Sequence, residues 1–70
     1  MSISMPSRCM IDQLRQEALE LKQHAMISQY KADNTDDPEL KKFFKAISEH
    51  NTALAVNAES YAAYLEKEND

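Results

Sequence analysis

The 70-residue sequence contains no glycine, no tryptophan and a single cysteine. Most tight hairpin turns, β-bulges and phosphate-binding loops need glycine, because glycine adopts their backbone angles without strain. The absence of glycine therefore argues against small β-barrels, P-loops and dinucleotide-binding folds. The lone Cys9 excludes a disulfide framework within one chain and a zinc site built from cysteines, and we expect it to be an ordinary thiol.

The chain also lacks an excess of positive charge and a long apolar run. Eight basic and twelve acidic side chains give a formal net charge of −4 at pH 7. This balance gives no electrostatic reason to expect binding to nucleic acid or to an anionic membrane. No segment approaches the ~20 apolar residues of a membrane span, and residues 1–10 do not resemble a secretory signal. We therefore expect a cytoplasmic protein with a reduced thiol.

Two long segments are typical of α-helices, since they lack glycine and proline and are rich in good helix formers such as Gln, Glu, Leu, Lys and Ala. Between them lies a run of turn residues that ends in Pro38, with Asp36 or Asp37 as the expected helix cap. The sequence predicts a flexible N-terminus over 1–7 and a single domain over 8–70, with a helix over about 8–32, a turn over 33–37 and a helix over about 38–66.

Apolar residues recur in both helices at alternating steps of three and four, which is the pattern of a coiled-coil seam. The seam predicted on the first helix is Ile11, Leu14, Ala18, Leu21, Ala25, Ser28 and Ala32. The seam predicted on the second helix is Leu40, Phe44, Ile47, Asn51, Leu54, Ala58, Tyr61 and Leu65. A buried asparagine commonly sets the register of a seam, and we assign that role to Asn51.

The short turn indicates that the helices run in opposite directions. The predicted fold class is therefore all-α, an antiparallel two-helix hairpin. Folding the chain about the turn pairs Ile11 with Tyr61 and Leu21 with Asn51. In several layers a larger residue then faces a smaller one, which helps the side chains to interdigitate.

Apolar residues also occur outside the predicted seam, and a second apolar face indicates a further helical neighbour. We expect a homodimer of hairpins that forms a four-helix bundle. The alternatives are a solitary hairpin with scattered apolar surface residues and a helical segment of another protein as the partner. The residues assigned to the dimer or partner interface are Leu19, Met26, Tyr30, Phe43, Ala55, Ala62 and Tyr64.

Two histidines and two glutamates are candidate metal ligands. Folding about the turn brings His24 opposite His50, with Glu20 one turn before His24 and Glu17 on the same flank. Imidazole and carboxylate groups bind zinc, iron and other transition metals. The alternative, which we favour, is a pair of boundary histidines hydrogen-bonded to Glu, Asn or water in a protein without a cofactor.

The run DPELKKFFKAISEH over 37–50 resembles the start of a helix in ferritin-like proteins, especially those of rubrerythrin type. The segment EALELKQHA over 17–25 is similar to the helix before it, and small spore-coat-type proteins contain similar hairpins. The resemblance covers about 17–66 and implies half of a four-helix bundle. Di-iron members of the superfamily carry an E-x-x-H motif, which this sequence lacks.

Because that motif is missing, the resemblance implies the bundle rather than oxidase, peroxidase or iron-storage activity. The sequence therefore predicts a small non-enzymatic module, structural or interacting, that associates with itself. The alternative function is an iron- or zinc-binding four-helix bundle, with His24, His50, Glu17 and Glu20 as ligands.

Overall fold

The computed structural model describes residues 8–68, which form two α-helices. Helix α1 spans Arg8–Asp33 and helix α2 spans Pro38–Glu68. No strand occurs in the described part of the chain. The all-helical class and the two-helix hairpin are confirmed, and each predicted helix end lies within two residues of the observed one. The predicted flexible segment, 1–7, lies outside the described residues.

The turn between the helices is closed by side chains that bond to the main chain. Oδ1 of Asp37 accepts hydrogen bonds from the main-chain N–H groups of Glu39 and Leu40, at 2.9 Å and 3.4 Å. Asn34 closes the end of α1, because its main-chain N–H and its Nδ2 both donate to the carbonyl oxygen of Tyr30, at 3.1 Å and 2.8 Å. These bonds satisfy polar groups that helix ends leave open.

The two helices pack side by side, and their contacts join distant parts of the chain. Arg8, at the start of α1, binds Glu66 near the end of α2. At the other end, Nζ of Lys41 donates to the carbonyl oxygen of Ala32 at 2.9 Å, which links the first turn of α2 to the last turn of α1. The result is a narrow rod with extents of 58 × 16 × 13 Å.

On α1 the observed seam is the predicted one. Four positions are buried and three are half-buried, and together they follow the expected steps of three and four along the helix. The buried positions are Ile11, Ala18, Ala25 and Ala32. The half-buried positions are Leu14, Leu21 and Ser28. Three of the four buried side chains are therefore single methyl groups.

On α2 three of the eight predicted seam positions are wrong. Leu40, Leu54 and Tyr61 are 46%, 40% and 52% exposed, although the heptad pattern placed them against α1. The residues that follow Leu54 and Tyr61 are buried in their place, whereas Ile47 is half-buried and Ser48 beside it is buried. The observed seam on α2 is Phe44, Ser48, Asn51, Ala55, Ala58, Ala62 and Leu65. We call this set, together with the seam of α1, the inner seam.

The difference between the predicted and the observed seam of α2 corrects two further predictions. Ala55 and Ala62 were assigned to the dimer interface, but they are 0% and 1% exposed inside the hairpin and therefore present no surface to a second molecule. Ile11 was paired with Tyr61, but it packs in a cluster with Ala62 and Leu65. The physical reason is the fit at these particular layers, where the space between the helices accommodates Ala55 and Ala62 but not a larger side chain in their place.

Candidate interaction surface

Because α2 turns its small residues toward α1, its large apolar residues form a second row on the surface. Successive members of this row are separated by three or four residues, so the row is itself a heptad seam that runs along almost the whole of α2. It is rotated from the inner seam by one residue, or about 100° around the helix. We call this set the outer row: Leu40, Phe43, Ile47, His50, Leu54, Asn57, Tyr61 and Tyr64.

The outer row is mostly apolar and contains no Asp, Glu, Lys or Arg, and its two polar positions are His50 and Asn57. Its largest side chains are about half exposed, with values of 58% for Phe43, 52% for Tyr61 and 57% for Tyr64. A single exposed apolar residue is ordinary on any protein surface, whereas a continuous row marks a site of interaction.

Aromatic rings lie at both ends of the outer row. Tyr61 and Tyr64 stack with ring centroids 6.4 Å apart and an interplanar angle of 12°. At the other end Phe43 contacts the half-buried Phe44, with centroids 5.8 Å apart, and Nζ of Lys31 lies 5.7 Å from the Phe44 centroid. Rings held by such neighbours lose little conformational freedom on binding, which is one reason why aromatic residues are enriched in interfaces.

A shallow groove separates the middle of the outer row from α1. It contains the predicted register residue Asn51, which is half-buried. Among the described residues, every buried side-chain nitrogen or oxygen atom has a hydrogen-bond partner. The residues that line the groove are His24, Ile27, Ser28, Lys31, Ile47 and Asn51.

The opposite flank of the hairpin carries ion pairs, and we call it the charged flank. Nη1 of Arg8 lies 2.8 Å from Oε2 of Glu66, Arg15 binds the other oxygen of the same carboxylate, and Nζ of Lys22 lies 2.5 Å from Oε2 of Glu59. The hydrogen bonds from Arg8 and then Arg15 hold the pKa of the Glu66 carboxyl below its ordinary value of 4.5. Because these groups are exposed, each pair adds little to stability.

The other predicted interface residues lie on the surface. Phe43 and Tyr64 belong to the outer row. Leu19, Met26 and Tyr30 of α1 are 49%, 72% and 68% exposed. Met26 borders a groove on the charged flank together with Lys22, and the three residues, spaced by seven and four positions, lie on one face of α1.

The four candidate metal ligands are all exposed. His24 lines the groove beside the outer row, whereas His50 is a member of the row itself and does not line that groove. Oε2 of Glu20 accepts a hydrogen bond from Nε2 of Gln16 at 3.4 Å. Within residues 8–68, no three His, Cys, Asp or Glu side chains form a group that could hold a metal ion. Metal binding by His24, His50, Glu17 and Glu20 stays a prediction, which analysis of metal content tests.

Neither of the two described helices is apolar enough over a sufficient length to cross a membrane. No family model matches the chain, and no curated protein and no solved structure matches it either. The ferritin-like resemblance therefore stays a prediction. The geometry of the described residues singles out the outer row.

Proposed function

We propose that this protein is a self-associating structural module without enzymatic activity: an antiparallel two-helix hairpin that dimerises into a four-helix bundle. The observation that carries the proposal is the outer row of α2. It gives the hairpin a second apolar face with heptad spacing, and such a face stabilises a helix when it packs against another helix.

The small inner core supports the need for a partner. Of the seven buried apolar residues within 8–68, five are alanines, and the two large ones are Ile11 and Leu65. Burial of an isoleucine or leucine contributes about 1.5–3 kcal/mol, whereas a single methylene group contributes about 0.8 kcal/mol. Short domains with so little buried area usually depend on a disulfide, a metal or another chain. A partner that covers the outer row would bury large apolar side chains that the hairpin alone leaves exposed.

The contacts within the hairpin support the antiparallel arrangement. Arg8 and Arg15 in the first half of α1 bind Glu66 at the end of α2, and Ala32 at the end of α1 binds Lys41 at the start of α2. A hairpin built in this way is half of an up-down-up-down bundle, so a second copy completes a four-helix bundle without a change in either chain.

The oligomeric state of the purified protein tests the proposal. Sedimentation equilibrium from low micromolar concentration upward is expected to give the mass of two chains of 8.0 kDa each. The thermal midpoint of unfolding should also rise with protein concentration, because association stabilises the folded state by mass action. A constant mass of one chain and a midpoint independent of concentration across that range would overturn the proposal.

A further inference from the structure

We infer that the partner of this chain is a second copy of itself bound through the outer row, with α2 packed antiparallel on α2 of the partner about a two-fold axis at Ala53. The inference rests on the proposed function and adds to it the face, the orientation and the register of the interface. An isologous interface of this kind uses the same surface patch of both copies.

The exposed side chains of the outer row supply a large part of the area that a stable dimer needs. An aromatic side chain buries about 150–250 Å² when it is fully covered, so a half-exposed one has roughly 100 Å² left to bury. The three half-exposed aromatic side chains then offer on the order of 300 Å² per chain, and the other exposed side chains of the row add to the roughly 800 Å² that each partner contributes to a standard interface.

The order of residues along the row selects one register. In antiparallel packing each layer combines one residue with a residue from the other end of the partner's row. The register that engages all eight residues joins Leu40 to Tyr64, Phe43 to Tyr61, Ile47 to Asn57 and His50 to Leu54, each across the axis. If the partner is shifted by one heptad in one direction, Tyr61 and Tyr64 have no residue opposite them. A shift in the other direction leaves Leu40 and Phe43 without a residue opposite them.

The residues that border the outer row favour the same orientation. Ala46, Ala53 and Ser60 recur every seven residues along one edge of the row, and their small side chains leave room for a close approach of the second helix. The same edge continues to Glu39 in the first turn of α2 and to Lys67 in its last turn.

The charges at the two ends of this edge are complementary only between antiparallel helices. In the proposed register Ala53 meets its own copy at the axis, and Glu39 lies beside Lys67 of the partner subunit at each end. In parallel packing this edge would lie beside the opposite edge of the partner's row, so Glu39 and Lys67 would not meet.

Cross-linking at Ala53 tests the face and the axis. The experiment uses the full chain with Cys9→Ser, so that a single thiol is present, and a short bis-maleimide reagent. Ala53→Cys is expected to give a covalent dimer in high yield. The matched control is Ala63→Cys, because Ala63 is also an exposed alanine of α2 but lies outside both the inner seam and the outer row.

The outcomes separate this inference from the proposed function. If both variants sediment as dimers and cross-linking at Ala63 equals or exceeds cross-linking at Ala53, the outer row is not the interface, although the protein is still a self-associating module. If the variants and the parent chain all sediment as monomers, the proposed function fails together with the inference. Preferential cross-linking at Ala53 supports both.

Charge reversal tests the orientation and the register. Glu39→Lys and Lys67→Glu should each weaken the dimer by about threefold to tenfold, as expected for exposed ion pairs that occur twice in the interface. The double variant should regain most of the affinity, because each pair is re-formed with its charges exchanged. Circular dichroism confirms that every variant keeps its helices. A double variant that binds no more tightly than the weaker single variant would overturn the proposed register.

Discussion

The buried face of α2 carries mostly small residues and its neighbouring exposed face carries large apolar ones, whereas most protein helices bury their large apolar residues. The face buried against α1 carries Ser48, Ala55 and Ala62, with exposures of 8%, 0% and 1%. The neighbouring face carries the large residues of the outer row, and Leu54 and Tyr61 remain 40% and 52% exposed. Large apolar residues are usually the buried ones. In this hairpin small residues occupy three of the buried positions of α2, and several of its large apolar residues remain exposed.

The contrast follows from what α1 presents to α2. At every seventh position from Ala18 to Ala32, the seam of α1 holds an alanine. Alanines at a helix contact allow a closer approach than large side chains do, and a closer approach increases the dispersion contacts of the atoms in between. A large side chain in the same place would hold the helices apart and open voids around the alanines.

The largest expected difference between buried and exposed positions comes from a matched pair of isoleucines. Ile11 is 0% exposed and Ile27 is 52% exposed. Ile11→Ala should lower the free energy of unfolding by about 2–5 kcal/mol, because it leaves a cavity in the inner seam. Ile27→Ala should cost less than about 1 kcal/mol. Urea denaturation at one protein concentration measures both.

If Ile11→Ala unfolds the hairpin altogether, Ile11→Val provides a milder change with an expected cost of about 0.5–1.5 kcal/mol. Equal losses for the two alanine variants would contradict the assignment of Ile11 to the core.

Enlargement of an alanine tests how closely the helices approach. Ala55→Leu should destabilise the protein by about 1–3 kcal/mol, because the inner seam has no space for three more carbon atoms. Ala63→Leu, at an exposed position of the same helix, should change the free energy of unfolding by no more than about 0.5 kcal/mol. Thermal or urea denaturation gives the comparison, and an unchanged midpoint for Ala55→Leu would show that the seam is not tightly packed.

A charge in the outer row tests its role in association. Leu54→Glu should weaken the dimer at least tenfold, or about 1.4 kcal/mol, because the carboxylate would have to be buried in the interface. The hairpin itself should keep its helix content. Val56→Glu is the control, since Val56 is 51% exposed but lies outside the row. Sedimentation equilibrium measures both dissociation constants, and a similar loss for the two variants would contradict the assignment of the face.

The smallest expected effect is a dependence on pH at the charged flank. The pKa of Glu66 is lowered by its bonds to Arg8 and Arg15, so its stabilising contribution is complete above pH 4.5, the ordinary value for this group. The contribution is lost as the pH falls below 4.5 and through the lowered pKa of the folded protein. The thermal midpoint of unfolding should therefore decrease between pH 6 and this acidic range, and the decrease should be larger for the parent chain than for Glu66→Gln.

Glu68→Gln serves as the control for this experiment, because it removes one carboxylate from the same turn and leaves Glu66 in place. The control should lose as much stability in acid as the parent chain does. A parent chain and a Glu66→Gln variant with the same acid dependence would show that the bonds to the two arginines contribute nothing measurable.

Much of the fold could be predicted because local signals agree with one another. The lack of glycine and the cluster of turn residues before Pro38 located both helices to within two residues. On α1 only one series of residues has the spacing and apolarity of a seam, so its buried positions were predicted correctly. The capping role of Asp37 was one of two alternatives in the sequence, and the structure shows that Asp37 makes the bonds.

The candidate surface was harder to predict because α2 offers two overlapping series. The predicted seam and the observed seam of α2 share four residues: Phe44, Asn51, Ala58 and Leu65. From Phe44 onward, the two series differ only at the positions between these residues. At each of those positions a large residue precedes a small one, as in Ile47 and Ser48 or Leu54 and Ala55. Selecting the larger residue moved part of the outer row into the predicted core. The repeated alanines of α1 were the available signal for the opposite choice.

The sequence by itself determined the two helices, the turn and the buried stripe of α1, since these depend on local propensity, capping and a single apolar period. Only the tertiary structure decided which stripe of α2 faces α1. Helix propensity does not depend on which side of a helix faces its neighbour. A change of one residue in the seam rotates the helix by about 100° about its axis. The rotation is set by the fit between two surfaces, and this fit depends on the distance at which both helices can pack.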